Sequence, residues 1–208
     1  NRIGGGYVFD SDYINDDQAV DEINKSLGKK IKPIKIINFD AGRFQNTWVK
    51  NCMAVGLSSS FTEPLEATSL FLTVEQLNIF SQYIPYMFKP NTKVLNQFND
   101  IVGNSNDEVM HFLYLHYLTK RKDSKFWQEF KDKNKCPKQL VETLEHIKDG
   151  ILIYPLFKDK VKTASFILRS HLYIANGVGL IKKINLHDIQ PTPKEYKKLW
   201  GRFKSVEV

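Results

Sequence analysis

Between Trp48 and Leu70 the chain reads WVKNCMAVGLSSSFTEPLEATSL, with two carboxylates, Glu63 and Glu66, on either side of Pro64. The apolar positions that follow (Leu65, Leu70, Phe71, Val74, Leu77, Phe80 and Ile84) predict a long, deeply buried helix that Pro85 bends or ends. Pro64 suits the first turn of that helix, because its missing N–H would have had no helical acceptor. Glu66 then stands in the first turn of an almost wholly apolar helix, where withdrawal from water fits a carboxylate for proton chemistry. Strand, small-residue loop (Leu57-Ser58-Ser59-Ser60-Phe61-Thr62) and helix in that order aim backbone N–H groups at whatever lies before the helix. That position favours an anion, and the small side chains let an ion or a flat cofactor approach the backbone closely. The same two acids equally suit the helix dipole and the free first-turn N–H groups alone.

The elements that must position this segment follow from periodicity and caps. Tyr7-Val8-Phe9 predicts a short strand, and Asn15-Asp16-Asp17 caps a helix through Ala19, Val20, Ile23 and Leu27. Lys32 to Asp40 alternates as a strand does, and Thr47 to Gly56 predicts another. From Asn91 the pattern turns helical. Met110, Leu113, Tyr114 and Tyr117 share a face, with Ser105 as cap and Glu108 three residues on. Helices are also predicted around Phe126-Trp127-Phe130, from Pro137 to Lys148 with Gly150 as stop, and from Phe166 to Ala175 before Asn176-Gly177. Ile151 to Tyr154 reads as a strand or the start of a helix. The first third thus looks like the tail of a mixed α/β sheet domain and the rest like an α-helical lobe, an α+β chain joined near residues 85–95.

Composition limits the function classes. The 208 residues are 42% hydrophobic, 25% charged and 12% aromatic, which excludes a disordered chain, a collagen-like repeat and a small disulfide scaffold. No apolar run approaches the ~20 residues of a membrane span, and no basic-then-apolar leader opens the chain. Cys52 and Cys136 form no Cys-x-x-Cys pair, which points to a reducing, cytoplasmic setting. The opening Asn1-Arg2, running straight into Gly4-Gly5-Gly6-Tyr7-Val8-Phe9, reads as the start of a piece of something longer. Residues 1–99 carry 10 basic and 10 acidic side chains and residues 100–208 carry 20 and 13, so the net charge of +7 belongs to the second half. Lysine dominates there and acids interrupt its runs, which describes a solvated helical surface better than a nucleic-acid reader. His111 and His116 lie five apart, off the i, i+4 spacing of a helical metal site, and read as surface or capped helix histidines. No Gly-x-Ser-x-Gly elbow is present.

The run Gly42-Arg43 … Trp48-Val49-Lys50-Asn51-Cys52-Met53-Ala54-Val55-Gly56-Leu57-Ser58-Ser59-Ser60-Phe61-Thr62-Glu63-Pro64-Leu65-Glu66-Ala67-Thr68-Ser69 resembles the signature of the flavin-dependent tryptophan halogenase family. His116-Tyr117, Thr119, Arg121, Asp123-Ser124 and Phe126-Trp127 are similar to a second run of that family, although one residue, not two, separates Tyr117 from Thr119. Gly4 to Phe9 resembles a third. The resemblance implies an α/β flavoprotein-monooxygenase-like sheet domain whose C-terminal part, with flavin and halide sites, is residues 1–90, followed by a helical substrate lobe at 91–208. It further implies Glu66 as the active-site glutamate, backbone N–H groups of Thr68 and Ser69 as halide (chloride or bromide) ligands, and Leu57 and Leu70 as backbone contacts to FAD.

In that family reduced FAD (FADH2) and oxygen convert halide to hypohalous acid, which an essential lysine directs onto an electron-rich ring, and a separate flavin reductase supplies the cofactor. The lysine, the Gly-x-Gly-x-x-Gly turn and a Trp/Ile-Pro segment would precede Asn1, so these 208 residues are expected not to halogenate alone. Ser60 stands where the family has glycine, a cost of about 1 kcal/mol if the position needs positive φ. The expected partners are an aromatic small molecule, the reductase and the missing N-terminal FAD-binding segment, with no nucleic acid and no membrane. A hydroxylating flavin monooxygenase relative and a basic binding module with a remnant site are the alternatives.

Overall fold

The computed structural model describes residues 5–133, 136–148 and 168–181. Helix α1 (Asp16–Leu27) forms where its caps predict it. The Asn15 side chain accepts from the Gln18 N–H, the Gln18 side chain accepts from the Asn15 N–H, both at 2.9 Å, and Gly28 closes the helix at φ 63°. The strands expected at Tyr7–Phe9 and across Lys32 to Asp40 do not form; both segments are irregular, and Ile34 is 96% exposed. Alternating residues make a strand only where a neighbouring edge takes up their backbone hydrogen bonds.

The strand predicted from Thr47 to Gly56 is a tight hairpin. β2 (Trp48–Val49) and β3 (Cys52–Met53) pair antiparallel, Trp48 opposite Met53, around Lys50 at φ 54°. β1 (Gly42–Arg43) pairs antiparallel with β4 (Ser60–Phe61), Arg43 opposite Ser60. Ser60 therefore lies in a strand outside the left-handed region, and its side chain carries no such cost.

Helix α2 (Thr68–Ser81) starts four residues beyond Pro64, and a 3-10 turn, Ile84–Tyr86, follows it at Pro85. α2 is buried on one side only. Leu72 and Gln76 face inward, whereas Leu70, Val74 and Leu77 are exposed, against the expectation of a deeply buried helix. Helix α3 (Thr92–Tyr117) is capped by Asn91, whose side chain accepts from the Val94 N–H at 3.0 Å, and not by Ser105. Ser105 is buried in mid-helix and donates to the Glu75 carboxylate at 3.3 Å. The run Gly103-Asn104-Ser105-Asn106-Asp107 looks like a break, but its small residues admit neighbours. A Cβ on Gly103 would come within 3.3 Å of the Arg43 guanidinium, which pairs with Asp107 through two bonds of 2.7 and 2.9 Å. Tertiary contact thus overrides local propensity.

α4 (Lys125–Lys133), α5 (Lys138–Lys148) and α6 (Leu168–Gly177) complete the described elements of an α+β chain. The Ile151 to Tyr154 segment, Gly150, His187 and Trp200 lie outside the described residues. Among the described residues no helix is long and apolar enough to cross a membrane, and no cluster of His, Cys, Asp or Glu is arranged to hold a metal.

Successive turns of α3 serve three apolar clusters. Phe98 and Val102 meet Trp48 and Tyr83, with Trp48 edge-on to Phe98 at 5.2 Å; Val109 and Leu113 meet Leu72; Leu115 meets Leu140, Leu144 and Leu172. Two buried amides fasten the hairpin to this frame. Asn99 Oδ1 accepts from the Thr47 N–H (2.9 Å), the Thr47 hydroxyl (3.2 Å) and the Trp48 N–H (2.8 Å), while its Nδ2 donates to the Trp48 carbonyl (2.9 Å). Gln76 Nε2 donates to the Ala54 carbonyl at 2.8 Å. Replacing Asn99 by Leu strands several buried backbone groups at once, so chemical denaturation of Asn99→Leu is expected to show a loss of about 2–4 kcal/mol. A loss below about 0.5 kcal/mol would mean that water or rearrangement satisfies those groups.

Candidate functional site

The predicted first turn of α2 is a distinct structure. Residues Leu65–Ala67 form a 3-10 turn in which Glu66 (φ 60°) and Ala67 (φ 54°) are both left-handed, and only then does α2 begin. Non-glycine residues seldom adopt this conformation, and two in succession are held by their surroundings. The surroundings are identifiable. The Thr62 hydroxyl lies 2.8 Å from that of Thr68 and 3.0 Å from that of Ser69, and Thr68 is wholly buried. These three hydroxyls tie the loop to the start of α2. As a result Thr68 and Ser69 are the first two helical residues, so their N–H groups are among those without an intrahelical acceptor. Ala67, at the cap position, offers them no side-chain hydrogen bond.

Glu66, expected in the first turn of the helix and partly withdrawn from water, stands before the helix with its side chain 47% exposed. Its Oε1 lies 3.6 Å from Nε2 of His116, in the last turn of α3, whose side chain is 17% exposed. His116 Nδ1 lies 2.9 Å from the Phe112 carbonyl oxygen. A carbonyl only accepts, so Nδ1 carries the proton, and Nε2 is the nitrogen that gains or loses one. Nε2 is buried and, among the described residues, has no hydrogen-bond partner. A proton arriving there faces the Glu66 carboxylate directly, so the pair can share it. Periodicity gave no sign of this role for His116; the only available signal was the His116-Tyr117 pair within a motif.

The neighbouring residue holds the other glutamate. The Tyr117 hydroxyl donates to the Glu63 carboxylate, and its ring packs against Phe126, Trp127 and Phe130. Two adjacent residues at the end of α3 thereby meet both acids that flank Pro64-Leu65, Tyr117 by a hydrogen bond and His116 by facing Glu66 at 3.6 Å. Leu57, in the 3-10 turn Gly56–Ser58, and Leu70 on α2 are 68% and 73% exposed, and Val74 and Leu77 extend the bare apolar surface along the helix. Gly56 (φ 65°) brings that turn against α2, with Thr73 Oγ1 3.5 Å from where a Cβ would stand. The fold therefore brings Glu66, Thr68 and Ser69 together at one helix start and places Leu57 and Leu70 on open surface beside the same helix.

Burial, and then the hydrogen bond and charge of Glu63, hold the Tyr117 phenol well above the usual tyrosine range. Above about pH 10 the unfolded chain releases that proton while the folded chain keeps it, so stability falls as pH rises. Tyr117→Phe is expected to lower stability at neutral pH by about 1–3 kcal/mol, since Glu63 loses its donor, and to flatten the alkaline decline seen in urea midpoints. An alkaline decline of undiminished slope in this variant would assign the effect to other groups.

The sequence profile of the tryptophan halogenase family matches residues 1–188. The tryptophan 6-halogenase of Streptomyces toxytricini is 33% identical over 164 residues, covering 75% of this chain and 31% of that protein. Among solved structures, the thermophilic tryptophan halogenase from Streptomycin violaceusniger matches with a TM-score of 0.73 at 26% identity, over 94% of this chain and 38% of that one. The flavin-dependent halogenase of Brevundimonas sp. BAL3 matches with a TM-score of 0.68 at 28% identity, over 93% of this chain and 39% of that one. The chain spans less than a third of the length of the curated relatives it matches, at 31% for the first two. With residues 1–188 of 208 under the family profile and the fold shared over more than nine-tenths of its length, the chain belongs to the tryptophan halogenase family.

Proposed function

We propose that this chain carries the halide- and carboxylate-bearing part of an FADH2-dependent halogenase that chlorinates or brominates an electron-rich aromatic ring, an indole, pyrrole or phenol, through hypohalous acid. The observation that carries the reading is the facing of Glu66 and His116 beside an α2 start whose cap residue, Ala67, offers no side-chain hydrogen bond. Residues 1–90 are the C-terminal part of the flavin- and halide-binding domain, and residues 91–208 the helical substrate lobe of a cytoplasmic enzyme.

The residues present fit the groups this reading requires. First-turn N–H groups of Thr68 and Ser69, together with the positive end of the α2 dipole, suit a halide ion. Leu57 and Leu70 offer bare apolar surface where a flavin ring would lie against the backbone. When bound, reduced FAD supplies the oxidation of halide by oxygen. Glu66 takes the proton that the ring releases on substitution, with His116 Nε2 facing it at 3.6 Å. Tyr117 keeps the Glu63-Pro64 loop in position behind it. The length of the relatives that this chain does not match supplies the remaining flavin contacts and the directing lysine, and a separate flavin reductase supplies the reduced cofactor.

Titrating bromide into the labelled chain is expected to shift the Thr68 and Ser69 amide signals saturably, with chloride competing. Unmoved amides at both positions would remove the halide assignment. Incubated with reduced FAD, bromide and an indole, the 208 residues are expected to yield no brominated product; product would show that they need nothing more. In a protein joining this chain to the rest of a halogenase, Glu66→Gln should lower kcat about 10²-fold or more with KM little changed, as expected for a lost proton acceptor. His116→Gln should lower kcat less than Glu66→Gln does.

A further inference from the structure

A concave site lies just beyond the end of α3. A cleft of about 610 Å³ opens between the loop that follows Leu118 and helix α4, within the size range of small-ligand sites. Its walls carry Thr119, Lys120, Arg121, Lys122, Trp127 and Lys131. Arg121 is already engaged. It pairs with Asp123 through bonds of 2.9 and 2.6 Å, and its guanidinium lies 4.6 Å over the Trp127 ring. Trp127 also stacks on Tyr117, at 5.8 Å between ring centres. The floor of the cleft therefore carries the Trp127 ring with the Arg121 guanidinium held over it, and Tyr117 backs that ring from outside the cleft.

The lysines are set on that floor by backbone contacts. Gln128 Nε2 donates to the Lys122 carbonyl at 2.7 Å, and the Thr119 hydroxyl accepts from the Arg121 N–H at 3.2 Å, which fixes the loop. The Lys120 side chain, its ammonium end included, lies against Gly179, where a Cβ would come within 3.3 Å of Nζ, and Gly179 has φ 75°. Among the described residues none of the ion pairs involves Lys120, Lys122 or Lys131. The nearby acids Asp123 and Glu129 face Arg121 and Lys125. Three ammonium groups around one concavity repel each other, and a bound anion of two or more charges offsets that repulsion.

We propose that this cleft binds a small phosphate-bearing anion of the diphosphate class. Ammonium groups suit phosphate oxygens as point charges, whereas the one planar fork present, Arg121, is occupied by Asp123. Arg121 and Tyr117 pack against the Trp127 ring, so it offers no platform for stacking nucleic-acid bases. The site is separate from Glu66 and does not rest on the halogenase reading.

Calorimetric titration of the full chain with pyrophosphate at 150 mM salt tests the proposal, with circular dichroism to confirm that each variant folds. One saturable site is expected, weakened about 5- to 10-fold by Lys120→Gln or Lys122→Gln and more by the pair, each removing one charge–phosphate contact. Lys29→Gln, at the far end of α1, and Glu66→Gln are expected to leave the affinity unchanged. Non-saturable heat, equal weakening by Lys29→Gln, equal affinity for chloride, or preference for an oligonucleotide over pyrophosphate would each overturn the assignment.

Discussion

One buried carboxamide decides where the irregular first third of this chain can stand. Asn99 meets two backbone N–H groups, one hydroxyl and one carbonyl of Thr47-Trp48, so the hairpin can sit in a single place along α3. From there the constraint is handed on. The residue after the hairpin, Ala54, gives its carbonyl to Gln76 of α2, and α2 carries Thr68 and Ser69 at its start. The candidate site thus inherits its position from polar contacts inside the core. A satisfied buried amide of this kind specifies one arrangement where apolar packing alone would allow several.

α3 acts as the common wall of everything described. Its early turns receive Trp48, its middle turns Leu72 and its last turns Leu140, Leu144 and Leu172, while its final two residues reach Glu66 and Glu63. A straight helix of 26 residues is about 39 Å long at 1.5 Å per residue, long enough to join elements far apart in sequence without a flexible link. The site is consequently built on helix ends and a hydroxyl-tied turn, whose mutual geometry follows from rigid packing.

How far the sequence discloses this depends on the range of the contact involved. α1 was legible because its signals are local: Asn15 and Gln18 satisfy each other and Gly28 supplies the left-handed stop. Ser105 carried the same kind of signal and misled, because its hydroxyl answers to Glu75 from another helix. Lys32 to Asp40 misled in the opposite sense, having the alternation of a strand but no edge to pair with. At the site, the type of Glu66 and the nearness of Thr68 and Ser69 to a helix start were readable. The four-residue displacement of that start was not, since Pro64 obeys a chain-local rule while the Thr62, Thr68 and Ser69 hydroxyls close a loop between them. The partner of Glu66 was least accessible. His116 lies fifty positions away, and only folding brings the two together.

The left-handed pair at Glu66 and Ala67 has a mechanical meaning. An L-residue held there stores on the order of 1–2 kcal/mol, which glycine would release along with the swivel freedom it brings. By keeping side chains at both points, the chain holds a carboxylate on a stiff crank, anchored by the hydroxyls of Thr62, Thr68 and Ser69. Its aim is then set by the frame and not by thermal wandering.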